Sequence, residues 1–82
     1  MTEYVALIHH EEGSDYGVSF PDFPGCVTSG ATLDEARALA AEALALHLAG
    51  MAKDGEMIPP PTPLVGIMAE WENLAAKWLI VV

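Results

Sequence analysis

His9 and His10 run directly into Glu11 and Glu12, with Asp15 close behind, so the donor types of a metal site gather in one short stretch. Successive residues of a strand point to opposite faces, and the two imidazoles cannot chelate one ion unless the strand has already ended. Zinc needs several convergent ligands, and neither a second cysteine nor a spaced histidine pair supplies them. The stretch reads as a strand end feeding a solvated acidic turn. His47 projects near the middle of an apolar helix face, where a core histidine with one satisfied nitrogen is favoured over a catalytic base. Cys26 has no sequence-local activator and reads as a buried structural thiol rather than a nucleophile. Neither a phosphate-binding glycine loop nor a serine nucleophile elbow is present. No catalytic residue, metal ligand or cofactor site is assigned, and the chain is expected not to be an enzyme.

The elements that carry these residues can be placed from periodicity. Tyr4 to His9 is apolar on both alternating sets, which suits a strand covered on both faces at the centre of a sheet. After the polar turn Glu11-Glu12-Gly13-Ser14-Asp15, the stretch Tyr16 to Phe20 alternates, with Tyr16, Val18 and Phe20 on one face and Gly17 and Ser19 on the other. A hairpin follows from that pair. Cys26 to Ser29 is a third, antiparallel strand beside the second.

From Leu33 a helix is expected to run to about Lys53, with Gly55 as its stop. At 100° per residue, Leu33, Ala36, Leu39, Ala40, Ala43, Leu44, Leu46, His47 and Met51 share the face that must lie on the sheet. An uncharged strip of Ala38, Ala41, Ala45, Ala49 and Ala52 runs alongside. It either admits close approach by another copy, as an oligomer interface, or reflects helix propensity alone. Pro59 to Pro61 and Pro63 form a stiff connector. Thr62 is positioned to cap a short second helix over Leu64 to Met68, with Pro63 at its first turn. The closing run Trp78-Leu79-Ile80-Val81-Val82 reads as a buried strand parallel to the first, reached by a right-handed helical crossover. The expectation is one α+β domain over residues 1–82: β-β-β-α-(short α)-β, strands in the order third, second, first, last, the long helix on one face.

The densest punctuation lies between Phe20 and Glu35, F-P-D-F-P-G-C-V-T-S-G-A-T-L-D-E. Pro21 and Pro24 each fix φ and bar the preceding phenylalanine from the helical region, and Gly25 turns the chain without steric penalty. Thr32 with Glu35 three residues later fits a capping box at the helix start. The order Tyr16-Gly17-Val18-Ser19-Phe20, Pro21-Asp22-Phe23-Pro24-Gly25-Cys26, then Ser29-Gly30-Ala31-Thr32-Leu33-Asp34-Glu35-Ala36 and an Ala/Leu-rich helix resembles the N-terminal domain of HicB-type antitoxins. The resemblance continues through Lys53-Asp54-Gly55-Glu56 and Ile58-Pro59-Pro60-Pro61-Thr62, so that it covers most of the chain.

Charge narrows the partners independently of that resemblance. Twelve acidic residues against Arg37, Lys53 and Lys77 leave a formal charge of −9 over 82 residues. A nucleic-acid backbone is neutralised by Lys and Arg, so direct nucleic-acid binding by this chain is not expected, and a basic protein partner is. Solubility alone would also account for an acidic surface. A lone cysteine fits a reducing compartment, the start of the chain lacks a signal-peptide pattern, and no segment reads as membrane-spanning. A cytoplasmic location is expected.

The resemblance implies a partial RNase H-like fold and an antitoxin that binds and neutralises a small basic toxin, HicA, an mRNA-cleaving ribonuclease. It supplies no catalytic residues. A two-metal nuclease needs carboxylates converging from strands, whereas the acids here lie mainly in turns and on the outer helix face. The candidate toxin-binding residues are Glu11, Glu12, Asp15, Asp22 and Phe23. Antitoxins of this type usually add a C-terminal DNA-binding domain, so the chain is expected either to be truncated before one or to belong to a member without one. Two alternatives stand beside this reading: an oligomerisation domain without a toxin, and a divergent hydrolase acting at His47, Cys26 or Asp22.

Overall fold

The chain's centre is β1 (Val5–His10), whose residues Val5 to Ile8, with Tyr4 before them, are buried on both sides of the sheet. The computed structural model describes residues 3–74 and 76–82, the backbone alone over 71–74. β2 (Tyr16–Ser19) pairs antiparallel with β1, setting His10 opposite Tyr16 and Leu7 opposite Ser19. Between them the Ser14 amide donates to the Glu11 carbonyl at 2.9 Å, and Gly13 takes the positive φ that this turn requires. β3 (Val27–Gly30) lies antiparallel on the far side of β2.

The link from β2 to β3 is two turns in succession. The Phe23 amide donates to the Phe20 carbonyl and the Cys26 amide to the Phe23 carbonyl, both at 3.0 Å. Each proline occupies the second position of its turn, where a fixed φ is an advantage, and Gly25 at φ 93° gives the second turn the type II pattern. Such a corner leaves little freedom to the side chains it carries.

α1 (Leu33–Lys53) begins at Thr32, whose extended backbone and side-chain oxygen, accepting from the Glu35 amide at 3.1 Å, make it the N-cap. The return arm of the box is displaced by one residue, because the Glu35 carboxylate accepts from the Ala31 amide at 3.3 Å. At the other end the Glu56 amide donates to the Met51 carbonyl and the Gly55 amide to the Ala52 carbonyl, with Gly55 at φ 71°, which is a Schellman motif. Both ends thus stand where the sequence places them.

The inner line of α1 is Ala36, Ala40 and Leu44, packed with Tyr4, Ala6, Ile8, Val18, Phe20, Phe23 and Cys26 into one core. Small residues on this line bring the helix axis close to β3. Leu46, expected on the same face, is 67% exposed, and Leu48, one turn beyond Leu44, packs against the core instead. The broad apolar face drawn at 100° per residue is therefore centred a little too far toward Leu46.

The second face of the sheet is covered by α2 (Leu64–Leu74), from which Ile67 packs with Val5, Leu7 and Ala76, and Leu79 adds to them. The helix is longer than the Leu64 to Met68 segment expected, and Thr62 does not cap it. The Pro63 carbonyl accepts the first helical bond, from the Ile67 amide at 3.2 Å.

β4 (Trp78–Val81) takes the edge beside β1, completing the order β3-β2-β1-β4 expected from the sequence. Its direction corrects that expectation: Val5 faces Val81 and Ile8 faces Trp78, so β4 is antiparallel to β1, not parallel. The cause is the length of α2. α1 returns the chain to the end of the sheet where β1 starts, α2 carries it back along the opposite face, and the last strand must run against β1. A helix limited to Leu64–Met68 would not have made that second traverse.

Candidate partner-binding surface

Glu11, Glu12 and Asp15 are all exposed and project from the β1–β2 turn, at one end of the sheet. Below them His10 stacks on Tyr16 with centroids 3.9 Å apart and rings 7° from parallel, and Trp78 lies 6.4 Å from His10 and 5.7 Å from Tyr16. His9 points to the other face, where its Nε2 stands 3.4 Å from Ser19 Oγ. Pleating has separated the two imidazoles as the alternation requires. Among the described residues, no group of three or more His, Cys, Asp or Glu side chains is placed to hold a metal ion.

Asp22 and Phe23 lie at the opposite end, in the corner between β2 and β3. The structure therefore does not bring the sequence-derived candidates onto one patch. The strands hold them apart by roughly 13 Å, the length of four extended residues at about 3.3 Å each. Phe23 is buried, its ring edge-on to Tyr4 at 4.7 Å and to His47 at 5.4 Å. It shapes the corner from within and offers no free surface. Asp22 is half-buried and occupied: its Oδ2 accepts from the Thr62 amide at 2.9 Å and its Oδ1 accepts from the Thr62 hydroxyl.

That pair ties the corner to the proline connector across 40 residues of chain. The Tyr4 hydroxyl donates to the Pro59 carbonyl nearby and fixes the same connector from below. Between corner, connector and the second half of α1 there remains an open cavity of about 330 Å³. It is lined by the acidic residues Asp22 and Glu56, by Phe23 and His47, and by the apolar Pro24, Met51 and Pro59. Sequence reasoning singled out Asp22 and His47 but not Glu56, Pro59 or Thr62. The only local signal was rigidity, a proline on either side of Asp22 and a proline run before Thr62.

Cys26 is buried behind the corner with its Sγ 3.8 Å from the Ala43 carbonyl, and burial pushes the thiol pKa up, opposite to what a nucleophile needs. The strip Ala38, Ala41, Ala45, Ala49 and Ala52 is exposed along its whole length, on the side of α1 turned away from the sheet. Among the described residues no helix is long and apolar enough to cross a membrane.

Comparison with known proteins matches residues 4–82 to the model of the HicB-like antitoxin of bacterial toxin–antitoxin systems. Antitoxin HicB 1 of Photorhabdus laumondii is 44% identical over 60 residues, covering 73% of this chain and 38% of its own length. An uncharacterised 14.9 kDa protein of Haemophilus phage HP1 is 47% identical over 49 residues, 60% of this chain and 37% of that protein. The chain thus spans less than two-fifths of the curated relatives it matches. In three dimensions it superposes on the Burkholderia pseudomallei antitoxin HicB with a TM-score of 0.86 at 30% identity, over 100% of this chain and 62% of that one. The isolated N-terminal domain of that antitoxin gives 0.83 at 29% identity, covering 99% and 95%. A chain from a HicA3–HicB3 toxin–antitoxin complex shares the fold, with a TM-score of 0.78 at 24% identity over 99% and 95%. With its sheet, both helices and the clasped corner inside the matched span, the chain belongs to the HicB-like antitoxin family of bacterial toxin–antitoxin systems.

Proposed function

We propose that this domain binds a small, basic HicA-type mRNA-cleaving toxin and neutralises it by occluding its RNA-binding face, with no catalysis of its own. The observation that carries the reading is the formal charge of −9 on a chain whose family match runs from residue 4 to residue 82. A surface of opposite sign raises the encounter rate with an RNA-binding protein and competes for the groups that hold phosphates. Glu11, Glu12 and Asp15 are exposed and free to steer that approach. Asp22 acts at the other end of the sheet, and Phe23 contributes by holding Asp22 in place. In this reading the domain is cytoplasmic, and these residues do not themselves bind nucleic acid.

The test is coexpression with a HicA-type toxin. Copurification and suppression of its ribonuclease activity are expected, and no binding between the purified proteins would sink the proposal. Because charge steers the encounter, raising the salt from 50 to 500 mM should slow association roughly tenfold or more while dissociation changes little. Association that ignores salt would remove the acidic surface from the account.

Self-association is proposed alongside, through the exposed alanine strip. A small domain with an exposed alanine strip on its long helix gains buried surface from a symmetric copy, and two-fold pairing is the commonest arrangement. Ala45→Glu is expected to lower the mass found by sedimentation to that of a monomer, at a folding cost of only a few tenths of a kcal/mol. A concentration-independent monomer mass for the unmodified chain would end this proposal.

A further inference from the structure

The cavity at the β2–β3 corner has a chemistry more specific than general acidity. At about 330 Å³ it lies near the lower end of small-molecule sites, roughly 300–1,000 Å³, which suits one long side chain rather than a cofactor. Two carboxylates, Asp22 and Glu56, stand against apolar walls from Met51, Pro24 and Pro59, and no Lys or Arg lines it. Long cationic side chains want this combination, an apolar surface for the stem and acceptors for the head.

We infer that this cavity is a socket for an arginine side chain presented by the basic partner. The partner comes from the toxin-binding reading above; the socket's chemistry stands apart from it. Arginine is favoured over lysine for two reasons. Its planar head pairs with carboxylates and stacks on rings, and both Asp22 and the His47 ring border the cavity. The second reason is that Asp22 is already oriented. Its oxygens each accept one hydrogen bond from Thr62, which leaves a second lone pair on each and holds the carboxylate in one rotamer. A guanidinium meeting it incurs little of the ordering cost that a free surface carboxylate would impose. The Asp22–Thr62 tie therefore does two jobs, fastening the connector and holding a carboxylate acceptor in place. Glu56, which follows the Gly55 stop of α1, adds a second acidic residue to the lining.

The socket can be tested on the 82-residue chain without any toxin, by amide NMR titration with N-acetyl-arginine amide and its neutral isostere N-acetyl-citrulline amide. Saturable shifts at Phe23, His47, Met51 and Thr62 are expected with the arginine compound at millimolar concentration. Citrulline should bind at least tenfold more weakly, and so should arginine to Glu56→Gln or to Asp22→Asn, which keeps an acceptor for the Thr62 amide. A thermal melt checks that both variants stay folded. Equal shifts from the two compounds, or none from either, would overturn the inference whatever the toxin does. With a HicA-type toxin as the probe, Asp22→Asn combined with Glu56→Gln should weaken the complex about tenfold or more, against threefold or less for Glu70→Gln on the exposed side of α2. If arginine binds but the paired substitution leaves the complex unchanged, the socket is not where the partner docks and the inference fails. If arginine binds and the unmodified chain ignores the toxin, the toxin-binding reading fails while the socket stands.

Discussion

Phe23→Ala should destabilise the domain by about 3–5 kcal/mol, the range for removing a large aromatic from a packed core. The ring is buried and in edge contact with Tyr4 on one side and His47 on the other, so its loss opens a void that neither α1 nor the connector can close. A domain of 82 residues has roughly 4–12 kcal/mol of stability in total. Each kilocalorie is worth about 4–8 °C of melting temperature at this size, so the midpoint should fall by more than about 12 °C in a circular dichroism melt. A shift of only two or three degrees would mean the corner is not packed as described. The result also disciplines the binding experiments: toxin binding lost in Phe23→Ala reports unfolding of the corner, whereas Asp22→Asn and Glu56→Gln report contacts.

The parts of the fold visible in the sequence were those encoded by neighbours in the chain. The hairpin turn, the two-proline corner, the Thr32 cap and the Gly55 stop each depend on residues close to one another in the chain, and each stands where its residue types put it. Strand order also came through, because β1 is apolar on both alternating sets and must lie at the centre. Features that depend on distant residues did not. The direction of β4 turns on whether α2 spans the second face, and the residues after Met68 carry no clear periodicity to announce it. The bond between Asp22 and Thr62 joins residues 40 apart, and no local rule would pair them. The apolar Leu46 was drawn inward because hydrophobicity alone cannot fix the rotation of a helix whose inner line is mostly alanine.

The candidate surface shows the same division. Glu11, Glu12 and Asp15 were legible as a solvated acidic turn, and they are exposed. Asp22 was recognised for its stiff setting but not for its clasp, and Phe23 carries its weight inside the corner rather than on the surface. Under the proposed reading, acids at both ends of the sheet would steer a basic partner over a wide angle, while the cavity at one end would set the docked orientation.

The other large effect expected lies at the seam between β3 and α1, where Gly30 should respond to alanine with the opposite sign to Gly50 on the exposed side of the helix. A Cβ on Gly30 would fall 2.6 Å from the Ala36 nitrogen and 2.9 Å from its Cα, and both are backbone atoms that no rotamer change can move aside. Gly30 ends β3 and faces Tyr16 across the ladder, so the strand cannot shift without disturbing the sheet, and the helix must lift instead. Gly30→Ala should therefore cost about 2–3 kcal/mol, at the upper end of overpacking effects. Gly50, on the exposed side of α1, has open space around the equivalent position and a helical backbone, so Gly50→Ala should stabilise the domain by about 0.5–1 kcal/mol. Urea denaturation of the two variants beside the unmodified chain measures both. The transition midpoint should fall for the first and rise for the second, with slopes unchanged. If Gly30→Ala were neutral, α1 would have to sit farther from β3 than the inner line of Ala36 and Ala40 implies, and the close seam that holds the helix over the core would be wrong.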